Sequence, residues 1–125
     1  MYDIVVERHF DAAHYLRGYR GKCEALHGHR FRVLARVRAQ GLNEIGIAYD
    51  FAELKRHLDD ILGKFDHTCL NDTPLFERSN PSSENLAAVI FSELKERLTL
   101  EPLAVSSVEV WESPFTGVVY QPGAG

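Results

Sequence analysis

The chain has 125 residues, 45% hydrophobic and 26% charged, which is the length of one domain and a composition that builds a core. Its 14 Lys+Arg stand against 18 Asp+Glu, a formal net charge of −4, which argues against nucleic acid as a partner because such affinity normally comes from net basic surface. No stretch approaches the roughly 18 consecutive apolar residues of a membrane span, so no membrane association is expected, and two cysteines are too few for a disulfide framework.

The N-terminus, MYDIVVERHF, carries acids and reads as a strand rather than a signal peptide. Free thiols are expected, in a reducing cytoplasm, and neither end shows a lipidation motif. The first strand is expected over about Tyr2 to Ala13, with Ile4, Val6, Phe10 and Ala12 on one face and His14 continuing that face. A loop from Leu16 to Cys23 follows, holding the cations Arg17, Arg20 and Lys22. The second strand, about Gly28 to Ala39, puts Phe31, Val33, Ala35, Val37 and Ala39 on one side. Arg30, Arg32, Arg36 and Arg38 lie on the other, the alternation of a half-buried antiparallel strand. Extended backwards, the apolar row reaches His29 and His27. The Arg row is either a solvated face or the lining of a channel, with Glu7 and Glu109 as candidate partners.

Asp50 to Gly63 reads as a helix, with Asp50 as N-cap, Glu53 at the capping-box spacing, and Phe51, Leu54, Leu58, Ile61 and Leu62 as its apolar stripe. An irregular loop begins at Phe65-Asp66-His67-Thr68. Asn80-Pro81 makes a turn, and Ser82 caps a second helix running to about Leu98. Leu103 to Glu112 is a strand, and Thr116-Gly117 turns into a short strand at Val118–Tyr120. Val108 and Val110 share a face with Glu112.

Three of the six His fall within sixteen residues, at the ends of two strands. Neutral imidazoles from His14, His27 and His29 suit a tetrahedral zinc site with one open position, the catalytic arrangement. The bland alternative is a set of surface or core His at strand ends. Cys23, four residues before His27, is a fourth ligand closing the site, a buried inert thiol, or a thiolate poised for proton transfer; spacing favours none of these. Asp66-His67 is either a proton-handling pair or a helix-terminating loop. Glu112, a carboxylate at the end of an apolar row, needs a partner: an Arg, or a ligand edge carrying two N–H donors, such as a pterin or guanine.

Phe10-Asp11-Ala12-Ala13-His14, Cys23-Glu24-Ala25-Leu26-His27-Gly28-His29, Asp50-Phe51-Ala52-Glu53-Leu54-Lys55, Asp66-His67-Thr68-Cys69-Leu70-Asn71-Asp72, Asn80-Pro81-Ser82-Ser83-Glu84-Asn85 and Val110-Trp111-Glu112-Ser113 together resemble the 6-pyruvoyl-tetrahydropterin synthase family. They run in family order over nearly the whole chain. The resemblance implies one α+β domain over residues 1–125 with a tunnelling fold (T-fold): a four-stranded antiparallel sheet with two helices on one face. It implies a homohexamer built as a dimer of trimers, with the Arg-bearing face inside the tunnel and active sites between subunits. It further implies Zn2+ on His14, His27 and His29, and Cys23 as catalytic base tuned by Asp66 and His67 from a neighbouring subunit. Glu112 would anchor the pterin ring and join the proton relay, with the Ser82 region helping to hold the ring.

The short gap from Cys23 to His27 resembles the 6-carboxy-tetrahydropterin branch, on the queuosine and 7-deazaguanine route. The implied substrate is 7,8-dihydroneopterin triphosphate, with Arg17, Arg20 and Lys22 as candidate triphosphate contacts. The alternatives are triphosphate elimination without carbon–carbon cleavage, an aldolase-like role on another pterin, and a non-enzymatic zinc module with Cys23 as fourth ligand.

Overall fold

In the computed structural model, which describes residues 1–18, 25–99 and 101–123, the first two strands set the frame. Strand β1 (Tyr2–His14) pairs antiparallel with β2 (His27–Ala39) along its whole length, from Tyr2 opposite Ala39 to His14 opposite His27. This register sets even-numbered β1 residues against odd-numbered β2 residues, so the two apolar rows share one face. Phe10 stacks on Phe31 with ring centroids 4.9 Å apart, and Ile4 lies opposite Val37. The same alternation carries His14, His27 and His29 to the end of the core-facing row.

Helix α1 (Phe51–Leu62) packs across β1 and buries Leu54, Leu58, Ile61 and Leu62. Asp50 caps it by accepting from the Ala52 amide, as expected. Glu53 does not complete a capping box; it pairs instead with Arg56 one turn on. Phe51, expected in the apolar stripe, is 58% exposed because the stripe turns away from the sheet in the first turn. Helix α2 (Ser83–Arg97) buries Leu86, Ala87, Ile90, Phe91 and Leu94 against β4 (Ala104–Trp111) and β5 (Gly117–Tyr120). Ser82 accepts from the Asn85 amide at 3.1 Å, which makes it the helix cap.

Among the described residues the sheet has five strands in mixed orientation, not the four antiparallel strands expected. The addition is β3 (Thr68–Cys69), two residues that run parallel to β1 beside Ala12 and Ala13. Its cause is local. His67 adopts a left-handed conformation (φ 59°) and donates its amide to the Asp11 carbonyl, which feeds the next two residues onto the free edge of β1. The order is β3-β1-β2-β4-β5, and both helices cover the same face.

The opposite face carries the Arg row, and acids on neighbouring strands answer it. Arg38 pairs with Asp3 at 2.9 Å, Arg32 with Glu7 at 3.1 Å, and Arg36 with Glu109. Arg32 also lies over the Trp111 ring, 5.2 Å from its centroid. Among the described residues no helix is long and apolar enough to cross a membrane.

Candidate active site

The site forms where β1 and β2 end and β4 meets the start of α2. His14 stands directly opposite His27, and His29 opposite Ala12, so the three rings share one face within two residues of register. Their centroids lie 4.6 Å (His14–His27), 4.7 Å (His27–His29) and 5.4 Å (His14–His29) apart. One nitrogen from each lies within 4.8 Å of the others.

Hydrogen bonds fix two tautomers. His14 Nδ1 lies 2.7 Å from the Pro81 carbonyl, and His27 Nδ1 lies 2.7 Å from the Ala25 carbonyl. A carbonyl only accepts, so each Nδ1 carries the proton and each Nε2 keeps a lone pair. This is the outer-shell support that metal-binding imidazoles need. His14 Nε2 and His29 Nε2 are buried with no hydrogen-bond partner among the described residues. Two buried, unpaired imidazole nitrogens cost free energy unless something binds them. Burial also holds His29 below the usual imidazole range, and the neighbouring His27 and His14 act in the same sense, against the opposing pull of Glu112. The neutral form of His29, the one with a free lone pair, is therefore favoured. The donor set fits a tetrahedral zinc.

Glu112 stands over this cluster. It follows the last residue of β4, and the β2–β4 register continued by one step sets it opposite Phe31, beside His29. Its Oε1 is 3.6 Å from His14 Nε2 and its Oε2 is 3.7 Å from His29 Nε2. The Ser83 hydroxyl donates to Oε1 at 2.9 Å. Of the two readings left open for Glu112, an internal Arg pair is not what the described residues show. Ser83 escaped the sequence reading because the capping signal singled out Ser82. The available clue was that a residue just after the cap stands beside whatever strand end faces the helix.

Asp66 and His67 form a separate pair at the sheet edge. His67 Nδ1 lies 3.0 Å from Asp66 Oδ1, and Asp66 Oδ1 accepts the Asp11 amide at 2.9 Å. That amide hydrogen bond, helped by the His67 ring, holds the Asp66 carboxyl below the usual carboxylate range. The His67 side chain is 78% exposed. It shares a shallow cleft with His29 and Arg30, and among the described residues no hydrogen bond or ion pair joins it to the three-His cluster.

Cys23, Arg20 and Lys22 lie outside the described residues. The Arg17 guanidinium donates to the carbonyls of Phe76, Ser79 and Asn71, so it braces the β3–α2 loop rather than presenting itself to an anion.

Fold and site together define a class: T-fold proteins that gather three imidazoles and a carboxylate at the ends of their strands. The chain belongs to the 6-pyruvoyl tetrahydropterin synthase family, whose model matches residues 3–123. It is 43% identical over 101 residues to a 6-carboxy-5,6,7,8-tetrahydropterin synthase of Synechocystis sp., covering 77% of each chain. It is 33% identical over 132 residues to the protein of that name in Bacillus subtilis, covering 99% of this chain and 88% of that one. The structure of Caenorhabditis elegans 6-pyruvoyl tetrahydropterin synthase superposes with a TM-score of 0.84 at 28% identity, over 98% of both chains.

Proposed function

We propose that the chain is a zinc-dependent lyase. It converts 7,8-dihydroneopterin triphosphate, with water, to 6-carboxy-5,6,7,8-tetrahydropterin, acetaldehyde and triphosphate, in queuosine and 7-deazaguanine synthesis. The observation that carries the reading is the pair of buried Nε2 atoms on His14 and His29, unpartnered among the described residues, with the Glu112 carboxylate beside them. The names borne by the Synechocystis and Bacillus relatives favour the carboxy product over the pyruvoyl one.

His14, His27 and His29 would hold the metal, which when bound supplies Lewis acidity to the side-chain hydroxyls of the substrate. Glu112 accepts the N–H edge of the pterin, a bidentate match between two donors and a carboxylate. Its half-buried position makes that pairing stronger than it would be in water. Ser82, as helix cap, fixes the start of α2 beside the ring. Cys23 takes and returns protons at the reacting carbons. Asp66 orients the His67 ring, and the pair tunes Cys23 of a neighbouring subunit.

The Asp66–His67 pair stands exposed and apart from the His cluster of its own chain, which favours its service to a neighbour's site in a homohexamer. Apolar side chains left in solvent at Tyr2, Ile45 and Phe51 agree with further assembly.

Cys23→Ala separates this reading from a closed, non-enzymatic zinc module. Retained zinc, an unchanged melting temperature and lost acetaldehyde release are expected. Loss of zinc with collapse of the fold would make Cys23 a structural ligand and overturn the proposal.

A further inference from the structure

Ser83 plays no part in the chemistry above, yet it is buried against the carboxylate of the site. It opens α2, is 6% exposed, and spends its hydroxyl on Glu112 Oε1 at 2.9 Å. Among the described residues no other hydrogen bond reaches that carboxylate. Each of its oxygens also stands 3.6–3.7 Å from a ligating nitrogen, too far for a hydrogen bond to either ring. A tetrahedral centre with bonds of about 2.0–2.1 Å spaces its donors by about 3.3 Å. Each Glu112 oxygen is thus within a few tenths of an ångström of donor spacing from one of these two nitrogens.

A carboxylate so close to a divalent cation is drawn onto it. Doing so would fill the fourth position, close the site as structural zinc sites are closed, and withdraw the anchor from the ring. The opposing interaction is the charge-assisted hydrogen bond from Ser83, fixed to a helix start that cannot follow. We infer that Ser83 is a positioning residue that holds Glu112 off the metal, so that one position stays open and the carboxylate stays turned to the substrate. This rests on the metal and pterin reading given above.

The test compares zinc transfer to a chromogenic chelator, together with KM and kcat, in wild type, Ser83→Ala, Ser83→Thr, Glu112→Gln and the Ser83→Ala/Glu112→Gln double variant. Ser83→Ala should release zinc about ten-fold more slowly, the scale on which outer-shell partners act, and raise KM more than it lowers kcat. Ser83→Thr keeps the hydroxyl and should restore both. In the Glu112→Gln background, Ser83→Ala should no longer alter zinc release, because the group it restrains has lost its charge. Ser83→Gly reads the same rates should the Ala variant fold poorly. Unchanged or faster zinc release from Ser83→Ala, or a slowing that persists without the Glu112 charge, would overturn the inference. A wild type that takes up no zinc would overturn the reading of the site on which it rests.

Discussion

Asp66 shows how a single carboxylate joins fold to chemistry. It accepts the Asp11 amide and faces the His67 ring, so the turn that starts β3 and the proton-handling pair are one structure. Its folded pKa is depressed by the Asp11 amide first and His67 next. A depressed carboxylate stabilises the fold fully above its unfolded pKa, about 3.9, and that contribution is lost as pH falls through the folded value. Asp3 beside Arg38 and Glu7 beside Arg32 are depressed by the same kind of hydrogen bond and add to the loss in the same window. Denaturant midpoints measured from pH 6 down to pH 2 should therefore fall in the wild type below about pH 4. In Asp66→Asn the drop should be smaller, with the variant already less stable near neutrality. Identical profiles would mean that the Asp11 bond contributes nothing.

At the level of elements, the hairpin of β4 and β5 sets where Glu112 ends up. Gly117 lies opposite Trp111, and a Cβ there would come within 2.2 Å of the indole Cδ2. The ring is held on the other side by its Nε1 bond to Glu109 and by Arg32 stacked on it, so it has little room to give. Gly117→Ala should cost about 1–3 kcal/mol of stability, the usual range for overpacking. It should also shift the emission of the protein's one tryptophan.

The elements themselves were largely legible in the sequence. Alternation in β1 and β2 fixed their register and carried His14, His27 and His29 to one face, and the row of Val108 and Val110 carried Glu112 there too. The caps Asp50 and Ser82 were equally plain. What escaped depended on tertiary context. Two residues of β3 are too short to alternate. Ser83 has no local signal apart from the strand end it faces, and the Pro81 and Ala25 carbonyls that orient the rings are backbone groups any residue would supply.

Across the whole molecule, the −4 charge and the anionic substrate of the proposed function are reconciled by segregation. Asp3, Glu7 and Glu109 on the uncovered face of the sheet are paired with Arg38, Arg32 and Arg36, while the site is a cluster of imidazoles in which burial favours the neutral form of His29. That uncovered face, the sheet edges left unpaired among the described residues at β3 and β5, and the exposed Asp66–His67 pair would suit the homohexamer proposed above. Light scattering should give a mass well above the 14.2 kDa of one chain, and a strictly monomeric, active protein would refute assembly as a condition of activity.

In the proposed function the three-histidine site cleaves a carbon–carbon bond of a pterin side chain. Incubating zinc-loaded protein with 7,8-dihydroneopterin triphosphate and quantifying the products tests it most directly. Acetaldehyde and triphosphate in equal amounts are expected alongside 6-carboxy-5,6,7,8-tetrahydropterin, all abolished by chelation. Triphosphate release with a pyruvoyl pterin and no acetaldehyde, or no turnover at all, would contradict it.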